Sequence, residues 1–442
     1  MASSRSVLLH RQSVRTGSAS PASALSAVTL IAYVCQSAFF GPIRYFLAST
    51  GLEKLWFVPD LLGLVCVAGV LIESPARTHR ALIFMYVILL YCVEGYFVSG
   101  SVASVLSTFK ALVPLFCGLL LDRELLARPF MKVLLLALLS LAAFGVLFTL
   151  TADMPWANLT FEGIGVEQKY KDLQWIEGSR IRSYGFAGDE HGAASSILTL
   201  LILFSLNARK LTFYLVAALA FIAIEETTSR TNLIALIAYV TLYSFAARDR
   251  SAVDQFMLRW SLRASFMAPV LPLIIIAITL SFSGDTVPDE LLSLWIRGTY
   301  TWLVPFTHMD ELAPAAVLFG FGLGGFGFGL LQSDLASFYT PVDNFILFNF
   351  LAFGLPYVLF YPYQCRRLSR EPDPYRITVF IVTAILGLTL RGWSDSPFMI
   401  LFGYSTCCVF RGSVDRFAAA TKARMTYPVA IGQSVRGLRV RK

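Results

Sequence analysis

Six arginines stand where an apolar run meets polar sequence: Arg44, Arg180, Arg182, Arg230, Arg297 and Arg391. All six fall on the side of the alternating apolar runs that most of the other basic residues avoid, and ionisable groups at membrane depth are as a rule functional. Guanidinium groups gathered on one face suit an anion; at a membrane surface the obvious candidate is a lipid-linked phosphate. Other reactive groups surround them. Arg180 and Arg182 lead through Gly185 and Gly188 into Asp189, Glu190 and His191, at the entrance of an apolar run. Free N–H groups at a helix start add to an anion site, and the same residues serve as a capped first turn with Asp189 as the cap; the two readings are compatible. Glu225, Glu226 and Arg230 share a tight turn, read either as an ion pair four residues apart or as the lip of a site. Arg297 and Trp302 are followed by His308, by a glycine-rich run from Leu318 to Gly329, and by Asp343. Glycines near an arginine let the backbone approach a phosphate, but their alternation with Phe and Leu reads better as close helix packing, and the spacing matches no nucleotide-binding loop. Asp343 is either a helix cap or a base that takes a hydroxyl proton.

The elements that carry these residues follow from composition. Hydrophobic residues make up 56% and charged residues 14% of 442, with a mean hydropathy of +0.67; soluble domains run at about 25% charged. This predicts an all-α, polytopic integral membrane protein with about 12 transmembrane helices. Apolar runs occur at 23–47, 55–73, 80–99, 102–121, 130–151, 189–207, 211–226, 231–246, 263–283, 342–362, 376–391 and 397–411. Their connections alternate. One set holds Arg77 and Arg80, Arg123 to Lys132, Arg209 and Lys210, Arg248 to Arg263, and Arg366 to Arg376. The other set contains the two long connections, about 152–188 and 284–341. The positive-inside rule places the basic set and both termini in the cytoplasm and the long loops outside, in the periplasm for a bacterial inner membrane. Residues 1–22 read as a cytoplasmic arm, 23–411 as the transmembrane domain and 412–442 as a basic cytoplasmic tail. The net charge of +8 belongs to this topology rather than to nucleic acid. No internal repeat is visible, which weakens a transporter reading.

Of the seven cysteines, none falls in an outer loop, so there is no disulfide framework and no metal-ligand spacing. Asp60, Glu94 and Lys110 interrupt apolar runs. A buried Glu94–Lys110 pair is the simplest account of two of them, with Asp60 at an interface after Pro59.

The order of motifs resembles the O-antigen ligase/polymerase superfamily, the Wzy-type polymerases of bacterial surface polysaccharides and exopolysaccharides. The likeness rests on Arg182 to Gly185 opening one run, Ser229-Arg230 opening a later one, Arg297 to Trp302 leading to Leu318-Phe-Gly-Phe-Gly-Leu-Gly324, and Asp343-Asn344 leading to Phe353-Gly-Leu355. It covers about residues 175–360. It implies a glycosyl transfer with no metal or cofactor, from a glycan on polyprenyl pyrophosphate to a hydroxyl of a second lipid-linked repeat, with inversion. Under that resemblance Arg182, Arg230 and Arg297 take the pyrophosphate and Asp343 acts as base. Arg180, Arg391, Glu190, His308 and Trp302 are further candidates for holding pyrophosphate or glycan, Arg391 with no motif behind it. The ligase branch typically carries His where this chain has Asp343, which favours the polymerase. The expected function is therefore polymerisation of polyprenyl-pyrophosphate-linked oligosaccharide repeats into exopolysaccharide or O-antigen, beside a chain-length-regulating copolymerase and a flippase. The alternatives are a ligase to lipid A core and, from another class, a flippase for the same lipid-linked glycan.

Overall fold

The computed structural model describes residues 21–410 apart from 73–74, 127, 153, 157–159, 163–166, 170–175, 178–179, 207, 247–251, 283–286, 288, 372 and 391. Arg391 and nearly all of the two expected terminal arms lie outside the described residues.

The apolar runs all fold as helices. Pro21–Ala38, Leu82–Ser99, Val102–Leu120 and Pro129–Phe148 are long and apolar enough to cross a membrane, and Gln255–Ser265 with Val270–Thr279, bent by 52°, makes a fifth if the pair is one span. Leu82, Ile83, Leu89, Leu90, Val93 and Phe97 stand exposed along Pro75–Ser99. A helix that points large apolar side chains outward over such a length is consistent with a face turned to lipid. The remaining apolar runs give shorter helices. Glu190–Ser205, at about 1.5 Å per residue, covers only about 24 Å of a hydrocarbon core about 30 Å thick, and it is buried along most of its length.

Two runs break for visible reasons. The first ends at Ala38, and a separate helix, Phe40–Ser49, follows an off-helical Phe39. The tenth divides into Phe345–Phe353 and Leu355–Leu368 at Gly354, whose φ of +63° only glycine adopts readily. The backbone of 318–320 presses on this corner: a Cβ at Gly354 would lie 2.5 Å from Gly320 N. Helices also touch through small residues. Ser396–Phe410 crosses Val102–Leu120 where Gly118 and Gly403 meet, and a Cβ at Gly403 would lie 2.2 Å from Leu115 O. Such backbone contact is how helices associate where no water drives them together. Short antiparallel strand pairs, Thr160–Glu162 with Glu167–Lys169 and Ile176–Glu177 with Arg180–Ile181, are the departure from an all-α chain among the described residues.

The helices sort the charges to two ends. Glu190–Ser205 runs from Arg182 and Asp189 to Leu206, whose carbonyl accepts from Arg123 Nη2 (3.3 Å). Pro374–Leu386 runs from Arg376 back to Leu388, whose carbonyl accepts from Asn344 Nδ2 (2.9 Å). Arg123, Asp373 and Arg376 therefore lie at one end, and Arg182 and Asp343 at the other.

The intramembrane pair differs from expectation. Lys110 Nζ bonds Asp60 Oδ2 at 3.1 Å rather than Glu94, and Tyr33 donates to the other Asp60 oxygen at 3.2 Å. The reason is packing: the helix carrying Asp60, Val58–Ile72, lies directly on Val102–Leu120, with Gly63 against Val113.

Candidate functional site

Asn344, not Asp343, takes the capping role. Asn344 is the cap of Phe345–Phe353: its Oδ1 accepts from Leu347 N (2.9 Å), and the residue is fully buried. Asp343 is thereby left for other partners. Its Oδ1 accepts from Trp302 Nε1 (2.7 Å) and its Oδ2 faces Arg297 Nε (3.2 Å). Arg297 and Trp302 reach it together because residues 297–302 form a π-helical turn, closed by Leu303 N donating to Gly298 O at 3.1 Å. In an α-helix residues five apart diverge by about 140°; the wider turn brings them to one side. Such turns are frequent at functional sites. Three residues singled out from the sequence thus make one cluster.

This cluster is not closed. A carboxylate has about four lone-pair sites, and the two contacts leave room on Asp343 for a hydroxyl. Arg297 commits only Nε among the described residues, and its two terminal nitrogens are left to suit a bidentate oxyanion.

A second cluster holds Arg182 and Arg230. Arg182 Nη1 pairs with Glu190 Oε1 at 3.3 Å, and Asp189 caps its helix as expected, Oδ1 accepting from Gly192 N at 2.6 Å. Glu226 ends one helix and Arg230 begins the next, so they are not on one helix face as an i,i+4 pair requires. The turn between them is anchored instead to the Arg182 segment, Ser183 N donating to Glu226 O at 3.2 Å. Thr228 in this turn has φ +54°, a left-handed conformation unusual for a β-branched residue. Ser229 follows, receiving Asn232 Nδ2 (2.9 Å) and facing His191 Nδ1 (3.1 Å).

The two clusters share a support. Leu388 O receives Asn344, and the next residue, Thr389, hydrogen-bonds Thr231 beside Arg230. The loop that follows carries Asp395, which caps Ser396–Phe410 through Phe398 N (3.0 Å). Burial, aided by the Asp189 carboxylate, pushes the Asp395 carboxyl up to about 6, against the pull of the Phe398 N–H.

The other candidates fare differently. His308 sits in a turn past the π-helix with its ring edge-on to Phe338 at 5.2 Å, and no described contact joins it to Asp343. Arg180 lies on a strand of the first long connection. Arg44 is buried with its guanidinium 4.9 Å above the Trp56 ring. The glycine-rich run is packing, not a phosphate cradle. The N–H groups at its start are taken by carbonyls: Phe321 N by Leu351 O (2.7 Å), Gly322 N by Ala352 O (3.1 Å) and Leu323 N by Tyr91 O (2.7 Å). Sequence reasoning passed over Ser229 as more than a motif letter, Asn232, Thr389 and Asp395. The one available signal was proximity along the chain to Arg230 and Arg391. No family model, no curated protein and no solved structure matches this chain, so the family resemblance stands on the ordered residues alone.

Proposed function

We propose that this chain is a membrane glycosyltransferase that polymerises polyprenyl-pyrophosphate-linked oligosaccharide repeats into exopolysaccharide or O-antigen at the periplasmic face of a bacterial inner membrane. The observation that carries the reading is the Arg297–Asp343–Trp302 cluster, an acid and a cation joined at 3.2 Å. An acceptor sugar hydroxyl bonded to the open side of Asp343 gives up its proton as its oxygen attacks the anomeric carbon. The glycosyl–phosphate bond breaks on the opposite face, and the electron pair leaves with the pyrophosphate. Arg297 serves both halves of the step: Nε holds the base, and its free nitrogens, with Arg182 and Arg230, meet the charge on the leaving group. Trp302, nearly fully buried, fixes the carboxylate by its indole N–H.

The pairing of Lys110 with Asp60 supports an enzyme over a flippase, because a neutralised pair beside Tyr33 is a helix clasp rather than a lining for an anionic path. The deciding experiment is the purified protein in lipid nanodiscs, supplied with a polyprenyl-pyrophosphate oligosaccharide repeat and no added metal. A ladder of increasing repeats, absent in Arg297→Ala, is the expected result. Intact substrate in both samples, followed by transfer once lipid A core is added, would replace the polymerase with a ligase.

A further inference from the structure

The reading above leaves one ring nitrogen unused. His191 is half-buried at the second residue of Glu190–Ser205, next to the Glu190 that pairs with Arg182, and its Nδ1 faces Ser229, the residue before Arg230. It therefore touches the residue that precedes Arg230 and adjoins in sequence the one that pairs with Arg182. The hydrogen bonds set its tautomer. Ser229 Oγ already receives Asn232 Nδ2 at 2.9 Å, and its own hydroxyl has no acceptor among the described residues other than His191 Nδ1 at 3.1 Å. When the Ser229 hydroxyl donates to Nδ1, the ring carries its hydrogen on Nε2. Nε2 has no hydrogen-bond partner among the described residues. Ser229 and Asn232 are 3% and 0% exposed, so this relay is built into the protein and not a surface contact. The Asp189 cap and the Ser183–Glu226 bond hold the two ends of the arrangement in place.

We propose that His191 is a third phosphate ligand of this site, donating from Nε2 to a pyrophosphate oxygen between Arg182 and Arg230. This rests on the pyrophosphate-donor reading and adds a residue to it. A donor in that place adds a contact to the anion while Glu190 continues to pair with Arg182.

The test is calorimetric titration of inorganic pyrophosphate into the full-length protein in nanodiscs, with three variants. An Asn side chain places its amide near the Nδ1 position, whereas a Gln side chain reaches the Nε2 position. His191→Asn should bind about tenfold more weakly, His191→Gln within about threefold of wild type, and Arg230→Ala at least tenfold more weakly. Weak binding by Arg230→Ala with wild-type binding by His191→Asn overturns the histidine assignment alone. Wild-type binding by both overturns the phosphate reading as well. Equal weakening in the Asn and Gln variants means that a donor restored at the Nε2 position does not restore binding, which also overturns it. A readout without substitution guards against a variant that fails to fold. The chain has four histidines, and in the two-bond 1H–15N spectrum of histidine-labelled wild type an Nε2 signal should move on adding pyrophosphate; no movement overturns the proposal.

Discussion

Two charged clusters at opposite ends of the helices use similar residues to opposite purposes. At one end Arg376 meets Glu371 at 3.3 Å and Asp373 at 4.0 Å, with Arg376 and Glu371 each only 8% exposed. Arg123, 37% exposed at the rim of this network, joins Asp373 at 3.3 Å and lies 4.3 Å over the Tyr375 ring, while Asp373 also caps its helix. Cations and carboxylates there answer one another. At the other end Arg297 and Asp343 are 31% and 21% exposed, and Arg297 keeps two nitrogens uncommitted among the described residues. A buried, balanced network holds segments in register; a half-open one with spare donors is arranged for something that arrives later.

The comparison breaks most sharply in activity. Asp343→Asn should lower ladder formation by about 10²- to 10⁴-fold, the usual span for a general base, with melting in nanodiscs nearly unchanged. Arg297→Lys should lose at least about 10²-fold, because a lysine cannot hold the carboxylate and a phosphate at once. A variant at either position that unfolds the protein while sparing turnover per folded molecule would place this cluster in the same class as the Arg376 network.

The converse holds at the closed end. Arg376→Met removes the cation and leaves Glu371 buried, which costs about 3–5 kcal/mol. The protein should melt markedly lower, with the turnover of the folded fraction preserved. Equal stability of the variant would show that the network is not what joins Leu355–Leu368 to Pro374–Leu386.

A smaller effect comes from pH. Folding raises the Asp395 carboxyl from its ordinary 3.8 to about 6, chiefly by burial. Between those values the folded state binds more protons than the unfolded, so stability falls as pH rises through that window and the full penalty applies above it. The shift corresponds to about 1–3 kcal/mol. Asp395→Asn keeps the oxygen that caps Phe398 N but cannot ionise. It should melt above wild type at pH 7.5 and level with it near pH 4; a constant difference at all pH values would assign the effect to packing instead.

How much of this was legible in the sequence depends on which force decides each feature. The helices follow from apolar runs, which need no partner to be recognised. The break at Gly354 depends on the 318–320 backbone pressing on it from elsewhere in the chain, and the Asp60–Lys110 pairing depends on which helices touch; neither is written in local pattern. Of the twelve expected spans, four helices, or five with the bent pair, meet the length and apolarity of a span among the described residues. Helices such as Glu190–Ser205 are apolar because they are buried among other helices, and composition does not separate that from facing lipid. At the site, the sequence marked Arg297, Trp302 and Asp343 but left Asp343 between cap and base, because Asp and Asn both cap well. The structure gives the cap to Asn344. His191 was read as the first turn of a capped helix, since nothing local connects it to Ser229, 38 residues on.

The finest contrast between the two ends is strain. The closed network contains no residue with positive φ, whereas the turn before Arg230 holds Thr228 at +54°. For a β-branched residue the left-handed region costs about 1–2 kcal/mol, and the Thr228 hydroxyl is buried without a partner among the described residues. Thr228→Gly removes both penalties and adds about 0.5–1 kcal/mol of chain entropy to the unfolded state, so a net gain of about 1 kcal/mol is expected in thermal melting. The same change frees the turn that fixes Ser229 and Arg230, and pyrophosphate binding should weaken by a few-fold. Gain in stability with loss of binding would mark the strain as part of the site. Gain in both would leave Thr228 as an incidental cost of the turn, and the difference between the ends would then rest on open donors alone.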